Sequence, residues 1–298
     1  MLYGALEAGG TKMICAVGNE EGQILDQTTI PTSTPDETMP AIIEYFKGKI
    51  GNENPDDDIK ALGVACFGPV DVRKNSKTYG SILYTPKIPW RNFPIVKCLK
   101  EALNDIPVGF DTDVNGSLLG EATWGTAKGL TDAVYFTIGT GVGMGAMSGG
   151  NLIHGMLHPE AGHIRMVPVP GDEYAGHCPN HGACFEGMAC GPALGDRWGK
   201  PAKELREMPE VWDLEAKYIA QAMTSIIYIL SPQKIILGGG VMGQTQLFPL
   251  IRKYVLEYIN GYIDTKELRN INNYIVPAAL NGNQGIMGAL KLAEMAAE

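Results

Sequence analysis

Residues 3–17 read YGALEAGGTKMICAV, two apolar runs on either side of the pair Gly9-Gly10. This pattern is typical of two β-strands joined by a tight turn, because glycine adopts the backbone angles that such turns need. Residues 133–147 have the same form, with AVYFTI before a run of alternating glycines and GAM after it. The sequence therefore predicts two halves that each open with a glycine-turn hairpin.

Apolar runs and helical spacing alternate along the rest of the chain, which is typical of an α/β fold. Helices are predicted over 38–50, 115–124, 214–230, 246–260 and 284–297, and further strands over 59–67, 107–110 and 234–237. Because 298 residues exceed what one core usually holds, we expect two domains with a cleft between them. The predicted domains are 1–115, joined by part of the C-terminal helix at about 284–298, and 116–283.

The composition excludes several classes of partner. With 45% hydrophobic and 19% charged residues it is that of a globular protein. A net charge of -9 without a cluster of Lys and Arg argues against a nucleic acid or an anionic membrane as partner. The first residues lack a signal peptide and no run of about 18 apolar residues occurs, so we expect a cytoplasmic protein. In that reducing compartment the six cysteines are expected to be thiols or metal ligands.

Three glycine-rich turns are suited to a nucleotide, because glycine lets backbone N–H groups approach a phosphate and lets a flat base lie against the backbone. Any one of them alone is better explained as a hairpin or a strand-to-helix connection. Two similar turns that open two similar halves favour a polyphosphate site. The candidate nucleotide contacts are Gly9, Gly10, Thr11, Lys12, Thr140, Gly141, Gly143, Gly239 and Gly240.

Asp111-Thr112-Asp113 lies where a predicted strand meets a predicted helix. Ligands of open α/β sheets bind at such strand ends. Aspartates in this position also cap helices, and that structural role is the alternative. The functional hypothesis is that Asp113 is a general base that accepts the proton of a substrate hydroxyl, as an aspartate does in phosphoryl transfer.

All five histidines of the chain cluster together with two cysteines. Cys178, His181 and Cys184 are spaced three residues apart, which suits a tight zinc-binding turn. His163 is the first candidate for a fourth ligand, and His177 is the second. Three protein ligands and a water would instead indicate a catalytic zinc.

Glu160 and Glu186 flank this cluster, with no nearby lysine at helical spacing. Solvated surface acids are the simplest explanation for them. A sugar, however, needs carboxylates that accept its hydroxyl protons, and two acids beside a metal-bound loop are placed for that role.

Together these segments resemble the ROK family of sugar kinases and repressors, and within it the bacterial fructokinase branch. The resemblance covers nearly the whole chain and rests on residues 7–12, 68–71, 111–115, 137–143, 160–163, 178–186 and 235–240. It implies the ribonuclease-H-like fold of actin and hexokinase, in which two α/β domains close over ATP and a sugar.

The resemblance also implies a role for each candidate residue. Asp113 is the expected catalytic base, and magnesium would bridge the phosphates of ATP. A structural zinc would order the sugar-binding loop without acting as a Lewis acid. The zinc ligands would be His163, Cys178, His181 and Cys184, and the sugar would be held by Glu160, His163, Glu186, Gly68 and Asp71.

Two departures from the family pattern bear on the substrate. Thr112 stands where many members have asparagine, and the spacing Cys-x-x-His-x-x-Cys differs from the glucokinase-type loop Cys-x-Cys-Gly-x-x-Gly-Cys. The loop resembles the fructokinase form, and both departures favour ATP-dependent phosphorylation of D-fructose at its 6-hydroxyl, with broad mannokinase or glucokinase activity as the alternative.

A sugar-responsive regulator without kinase activity is the alternative from another class. The repressors of the family carry a winged helix ahead of the first strand, which here begins at Leu2, and the presence of Asp113 disfavours an inactive binding protein. The family also suggests a homodimer.

Overall fold

The computed structural model describes residues 1–51 and 58–298. Within them strands and helices alternate, which confirms the α/β class. The strands are β1 (Leu2–Ala8), β2 (Lys12–Asn19), β3 (Ile24–Pro31), β4 (Ile59–Cys66), β5 (Val108–Thr112), β6 (Ala133–Ile138), β7 (Val142–Ser148), β8 (Asn151–Leu152), β9 (Lys234–Gly238) and β10 (Ile275–Pro277). The α-helices are α1 (Pro35–Lys47), α2 (Ile95–Ala102), α3 (Asp113–Thr123), α4 (Phe185–Ala189), α5 (Gly191–Trp198), α6 (Pro209–Leu230), α7 (Leu247–Ile259), α8 (Lys266–Arg269), α9 (Ile271–Tyr274) and α10 (Gln284–Ala297).

The chain forms two compact units, each with its own five-stranded sheet. The first unit comprises Met1–Gly129, Ile153–His158 and Ala279–Glu298, and the second comprises Leu130–Leu152 and Pro159–Ala278. Compared with the domains predicted from the sequence, the first unit continues past residue 115 and also takes the short segment Ile153–His158.

The sheet of the first unit has the order β3-β2-β1-β4-β5. β1, β2 and β3 form an antiparallel meander, while β4 and β5 run parallel to β1. Ala8 pairs with Met13 across the first glycine turn, so the predicted hairpin is confirmed. Successive strand residues face opposite sides, and Leu6 joins the core under α1 and α2 while Ala5 joins the core under α10.

The helix α10 packs closely against α3 and against the sheet of the first unit, so that the backbones touch. A Cβ on Gly63 of β4 would lie 1.8 Å from the carbonyl oxygen of Ala289, and a Cβ on Gly288 would lie 1.6 Å from the carbonyl oxygen of Gly116 in α3. No side chain fits into such gaps, so glycine is required on both contact surfaces.

The sheet of the second unit has the order β10-β9-β6-β7-β8. β6, β7 and β8 form an antiparallel meander, and β9 and β10 run parallel to β6. This is the strand pattern of the first unit, which confirms the duplicated architecture predicted from the two hairpins. The largest side chains of its core include Trp212 and Tyr218 of α6 and Phe136 of β6.

Element boundaries differ from the prediction at two places that matter for the site. β5 continues through Asp111 and Thr112, so α3 begins at Asp113. α6 begins at Pro209, five residues before the predicted start. In the described part of the chain, no helix combines the length and the apolar character that crossing a membrane requires.

Candidate active site

Asp113 is the first residue of α3 and follows directly on β5. Thr112 caps this helix, because its hydroxyl oxygen accepts a hydrogen bond from the backbone N–H of Asn115 at 3.1 Å. The carboxylate of Asp113 accepts one from the backbone N–H of Val114 at 2.9 Å. Burial raises the pKa of Asp113 to about 6. A carboxylate with a pKa near the working pH is suited to act as a general base.

Glu7, near the end of β1, is a second acid with a shifted pKa in the same unit, and the sequence prediction assigned it no role. Burial, and then the charge of Asp113, raise the pKa of Glu7 to about 7. Among the described residues its Oε2 is buried without a hydrogen-bond partner. A carboxylate oxygen of this kind is a ligand that Mg²⁺ prefers, so the residues present fit the magnesium expected with ATP.

The first glycine turn lies between β1 and β2. The hydroxyl of Thr32 donates a hydrogen bond to the carbonyl oxygen of Gly9 at 2.8 Å, and this bond ties the turn to the residues after β3. Thr11 and Lys12 are exposed at its tip. A Cβ on Gly10 would lie 3.0 Å from Cε of Lys87. Lys87, which the sequence prediction missed, therefore brings a second positive charge to this turn.

Asp71 lies in the loop that follows β4. Its side chain is fully buried and its carboxylate accepts hydrogen bonds from Arg73 at 2.9 Å and from Ser76 and Thr78 at 2.6 Å. The hydrogen bonds from Arg73 hold the pKa of Asp71 well below its usual range. These hydrogen bonds hold the loop after Gly68, whereas Gly68 itself is only partly buried. The direct sugar contact of Asp71 stays a prediction.

Two histidines of the predicted cluster belong instead to the first unit. Nε2 of His154 lies 2.8 Å from Oδ2 of Asp111. Asn115 donates to Oδ1 of Asp111 at 2.7 Å, so both donors converge on one buried carboxylate. His158 accepts a hydrogen bond from the backbone N–H of Val70 at 3.1 Å. These contacts fix the segment Ile153–His158, and no local sequence signal separates these histidines from the others.

The second unit brings the four predicted metal ligands together. His163, Cys178, His181 and Cys184 place one ligand atom each within 4.8 Å of one another. Nδ1 of His163 lies 3.9 Å from Sγ of Cys178 and 3.5 Å from Sγ of Cys184, and Nδ1 of His181 lies 3.6 Å from Sγ of Cys178. His177, the alternative ligand, lies 3.6 Å from Asp196 instead.

Helix α4 connects this cluster to a predicted sugar ligand. Cys184 is the N-cap of α4, and its sulfur accepts a hydrogen bond from the backbone N–H of Gly187 at 3.4 Å. Glu186 lies in the first turn, where its Oε2 accepts a hydrogen bond from the backbone N–H of Val142 at 3.0 Å. Glu160 precedes the short helical turn that ends at His163, and its side chain is exposed.

The two glycine turns of the second unit lie side by side at the ends of the parallel strands β6 and β9. A Cβ on Gly139 would lie 3.6 Å from the backbone nitrogen of Gly240. Gly239 has a φ of +90°, and a Cβ there would lie 2.4 Å from the carbonyl oxygen of Ile138. The exposed residue Thr140 stands at the tip of the first of these turns. Parallel strand ends of this kind are where α/β proteins bind nucleotides.

The family model of the ROK family matches residues 3–296 of the chain. The chain belongs to the ROK family. Among ROK relatives, a fructokinase of Pediococcus pentosaceus is 45% identical over 296 residues, which cover 99% of this chain and 99% of that protein. A fructokinase of Streptococcus mutans serotype c is 40% identical and covers 98% of this chain and 97% of its own length. Within the family, the chain lies in the bacterial fructokinase branch.

Solved structures of ROK proteins have the same fold. A ROK hexokinase from Thermus thermophilus is 25% identical, covers 99% of this chain and 98% of its own, and gives a TM-score of 0.78. A ROK family glucokinase from Streptomyces griseus, solved with glucose and AMPPNP, is 25% identical. It covers 99% of this chain and 100% of its own, and it gives a TM-score of 0.74. The predicted hexokinase-type α/β fold is thereby confirmed.

Proposed function

We propose that this chain is an ATP-dependent fructokinase that transfers the terminal phosphoryl group of ATP to the 6-hydroxyl of D-fructose. The observation that carries the proposal is Asp113, a carboxylate at the strand-to-helix corner β5–α3 with a pKa raised by burial to about 6. The choice of fructose is supported by the fructokinases that are 45% and 40% identical over nearly the whole chain.

Asp113 accepts the proton of the fructose 6-hydroxyl as the oxygen attacks the phosphoryl group. Because phosphoryl transfer passes through a loose transition state, the protein contributes mainly positioning and charge stabilisation. A base with a pKa near 6 is ionised at neutral pH and still binds a proton well enough to help the attacking oxygen.

The nucleotide is held by the glycine turns, whose backbone N–H groups and hydroxyls face its phosphates. We assign the phosphate contacts to Gly9, Gly10, Thr11, Thr140, Gly141 and Gly143, with Lys12 as an additional charge. Gly239 and Gly240 lie beside the second turn and receive the adenine ring. Magnesium, which neutralises phosphate charge when bound, would be held on the protein side by Glu7.

The zinc is proposed as structural because the donor set is closed. Two sulfur and two nitrogen atoms whose measured separations are 3.5 to 3.9 Å suit a tetrahedral ion with bonds of about 2.0 to 2.3 Å. With His163, Cys178, His181 and Cys184 all engaged, no position remains for a catalytic water. The ion orders the segments that carry Glu160 and Glu186.

The sugar is held by Glu160, Glu186 and the Nε2 nitrogen of His163, whose Nδ1 faces the metal cluster. Gly68 is proposed as a further sugar contact. Broader hexose specificity is the second candidate, favoured by the 25% identical glucokinase solved with glucose.

A homodimer is also proposed, because Ile229 and Tyr262 expose 72% and 84% of their surfaces on the second unit. Light scattering after gel filtration tests this proposal.

A coupled assay of ADP release tests the function. The purified chain is given ATP, magnesium and zinc with fructose, mannose or glucose in turn. We expect the highest kcat/KM with fructose. Absence of turnover with all three hexoses would falsify the proposal, while equal values would favour the broad-specificity candidate.

A further inference from the structure

Glu186 contacts the glycine turn between β6 and β7, to which the proposed function assigns the nucleotide. Its Oε2 accepts the hydrogen bond from the backbone N–H of Val142 at 3.0 Å. A Cβ on Gly141 would lie 2.8 Å from the same oxygen. The proposed sugar ligand is therefore in direct contact with the turn.

The same turn is held tightly on its other sides. A Cβ on Gly162 would lie 2.0 Å from the carbonyl oxygen of Val142, so the segment after Glu160 packs directly on the start of β7. The backbone N–H of Gly191 donates to the carbonyl oxygen of Gly139 at 2.7 Å. Two of these contacts come from residues near metal ligands: Gly162 precedes His163, and Glu186 follows Cys184 by two residues.

A carboxylate next to phosphates needs an explanation, because two negative charges in close contact repel each other. The charge of Glu186 therefore does not attract the nucleotide. Its hydrogen bond to Val142 instead fixes the backbone of the turn before the nucleotide arrives, and a turn fixed in advance loses less conformational entropy when it binds a ligand.

We propose that Glu186 is a positioning residue for the nucleotide in addition to a ligand of the sugar. Its Oε2 holds the turn through the N–H of Val142, and its Oε1 is the oxygen that accepts a sugar hydroxyl. This inference rests on the proposed function and deepens it. Because one carboxylate serves both substrates, each substrate changes the affinity for the other, and the coupling is reciprocal.

Three substitutions separate the two roles. Glu186→Gln keeps an oxygen that accepts the Val142 hydrogen bond but removes the charge. Glu186→Ala removes both, and Glu186→Asp keeps the charge but shortens the side chain by one methylene. Glu207→Gln is the matched control, since this glutamate of the same unit exposes 94% of its side chain.

The decisive readout is nucleotide affinity without sugar, measured by calorimetry with AMPPNP and magnesium. We expect Glu186→Gln and the control to bind within about twofold of the unchanged chain, and Glu186→Ala and Glu186→Asp to bind about tenfold more weakly. The KM for fructose should rise in all three Glu186 variants. If Glu186→Ala binds AMPPNP normally and only its fructose KM rises, Glu186 is a sugar ligand alone and the inference is wrong.

A second measurement covers the case in which Glu186→Ala does not fold, which melting curves and zinc content would reveal. The chain is labelled with ¹⁵N-valine and titrated with fructose alone. We expect the amide signal of Val142 to shift in the unchanged chain; a signal that stays in place at saturating fructose overturns the inference. An unchanged chain that neither binds AMPPNP nor phosphorylates any hexose contradicts the proposed function instead.

Discussion

The charge of Asp113 makes Glu7 harder to ionise within the first unit: burial raises the pKa of Glu7 to about 7, and the charge of Asp113 adds to that rise. Burial likewise raises the pKa of Asp113 to about 6. Two neighbouring acids with raised pKa values are a feature of functional sites, because such an arrangement is unfavourable for stability alone.

Replacing Asp113 with asparagine should abolish most of the activity. Because the amide cannot accept the hydroxyl proton, we expect kcat to fall by about 10² to 10⁴, with AMPPNP affinity nearly unchanged. Steady-state kinetics and calorimetry measure the two quantities. Asp105→Asn is the control, since Asp105 exposes 84% of its side chain in the same unit. An unchanged kcat in Asp113→Asn would remove Asp113 from the mechanism.

The activity should depend on pH through the same carboxyl group. Asp113 acts only when ionised, and its pKa is about 6. We therefore expect kcat/KM for fructose to be constant above pH 7 and to fall about tenfold per pH unit below pH 6. A profile that stays flat down to pH 4.5, with the fold intact by circular dichroism, would contradict the assignment.

The same substitution should stabilise the fold at neutral pH. The folded-state pKa of Asp113 is raised from 3.8 to about 6. The folded state of the unchanged chain is therefore most stable below pH 3.8 and loses stability as the pH rises through 6, because the buried carboxyl group must then ionise. The asparagine of Asp113→Asn does not ionise. We therefore expect the free energy of unfolding of this variant at pH 7.5 to exceed that of the unchanged chain by up to about 3 kcal/mol. Urea unfolding at pH 7.5 and pH 4 measures the difference, which should be much smaller at the lower pH.

The pair His154 and Asp111 should stabilise the first unit at low pH. The hydrogen bond with Asp111 raises the pKa of His154 above 6.5. The contribution is therefore fully present below pH 6.5 and is lost as the pH rises through the raised value. Comparing the melting temperature of His154→Gln with that of the unchanged chain should give a larger deficit at pH 6 than at pH 9. A deficit independent of pH would mean that His154 acts through packing alone.

Removing the metal should weaken both the fold and sugar binding. Elemental analysis should find about one zinc per chain, by the count of four ligands. Cys184→Ser should lose the zinc, melt at a lower temperature and raise the KM for fructose. Cys98→Ser is the control, because Cys98 lies on α2 in the first unit, outside the cluster. Chelation that leaves melting temperature and fructose affinity unchanged would refute the structural role.

Local patterns in the sequence predicted what local chemistry determines. The glycine-turn hairpins and the corner before Asp113 depend on neighbouring residues, and three of the metal ligands sit in one turn at a spacing of three. β3 was missed because five of its eight residues are exposed and four are polar, which leaves no clear apolar alternation to detect. The contacts of His154 and His158 join residues 43 and 88 positions apart, and no spacing rule reaches that far.

The sequence alone does not decide the role of Asp71, for a related reason. An aspartate after a Gly-Pro pair has the same letters whether its oxygens face a ligand or its own loop. Only the positions of Arg73, Ser76 and Thr78 reveal that its acceptors are already occupied. Burial and hydrogen-bond partners therefore decide between a binding role and a structural one.

The packing of α10 has a consequence for biosynthesis. The helix covers one face of the first unit's sheet, yet a ribosome reaches residues 284–297 only after it has translated the whole second unit. Until then the nascent chain carries an apolar sheet surface around Ala61 and Ala65 that lacks its cover. The first unit therefore completes its fold last although most of it is made first, and during that interval the emerging polypeptide is exposed to aggregation and is a natural client for chaperones.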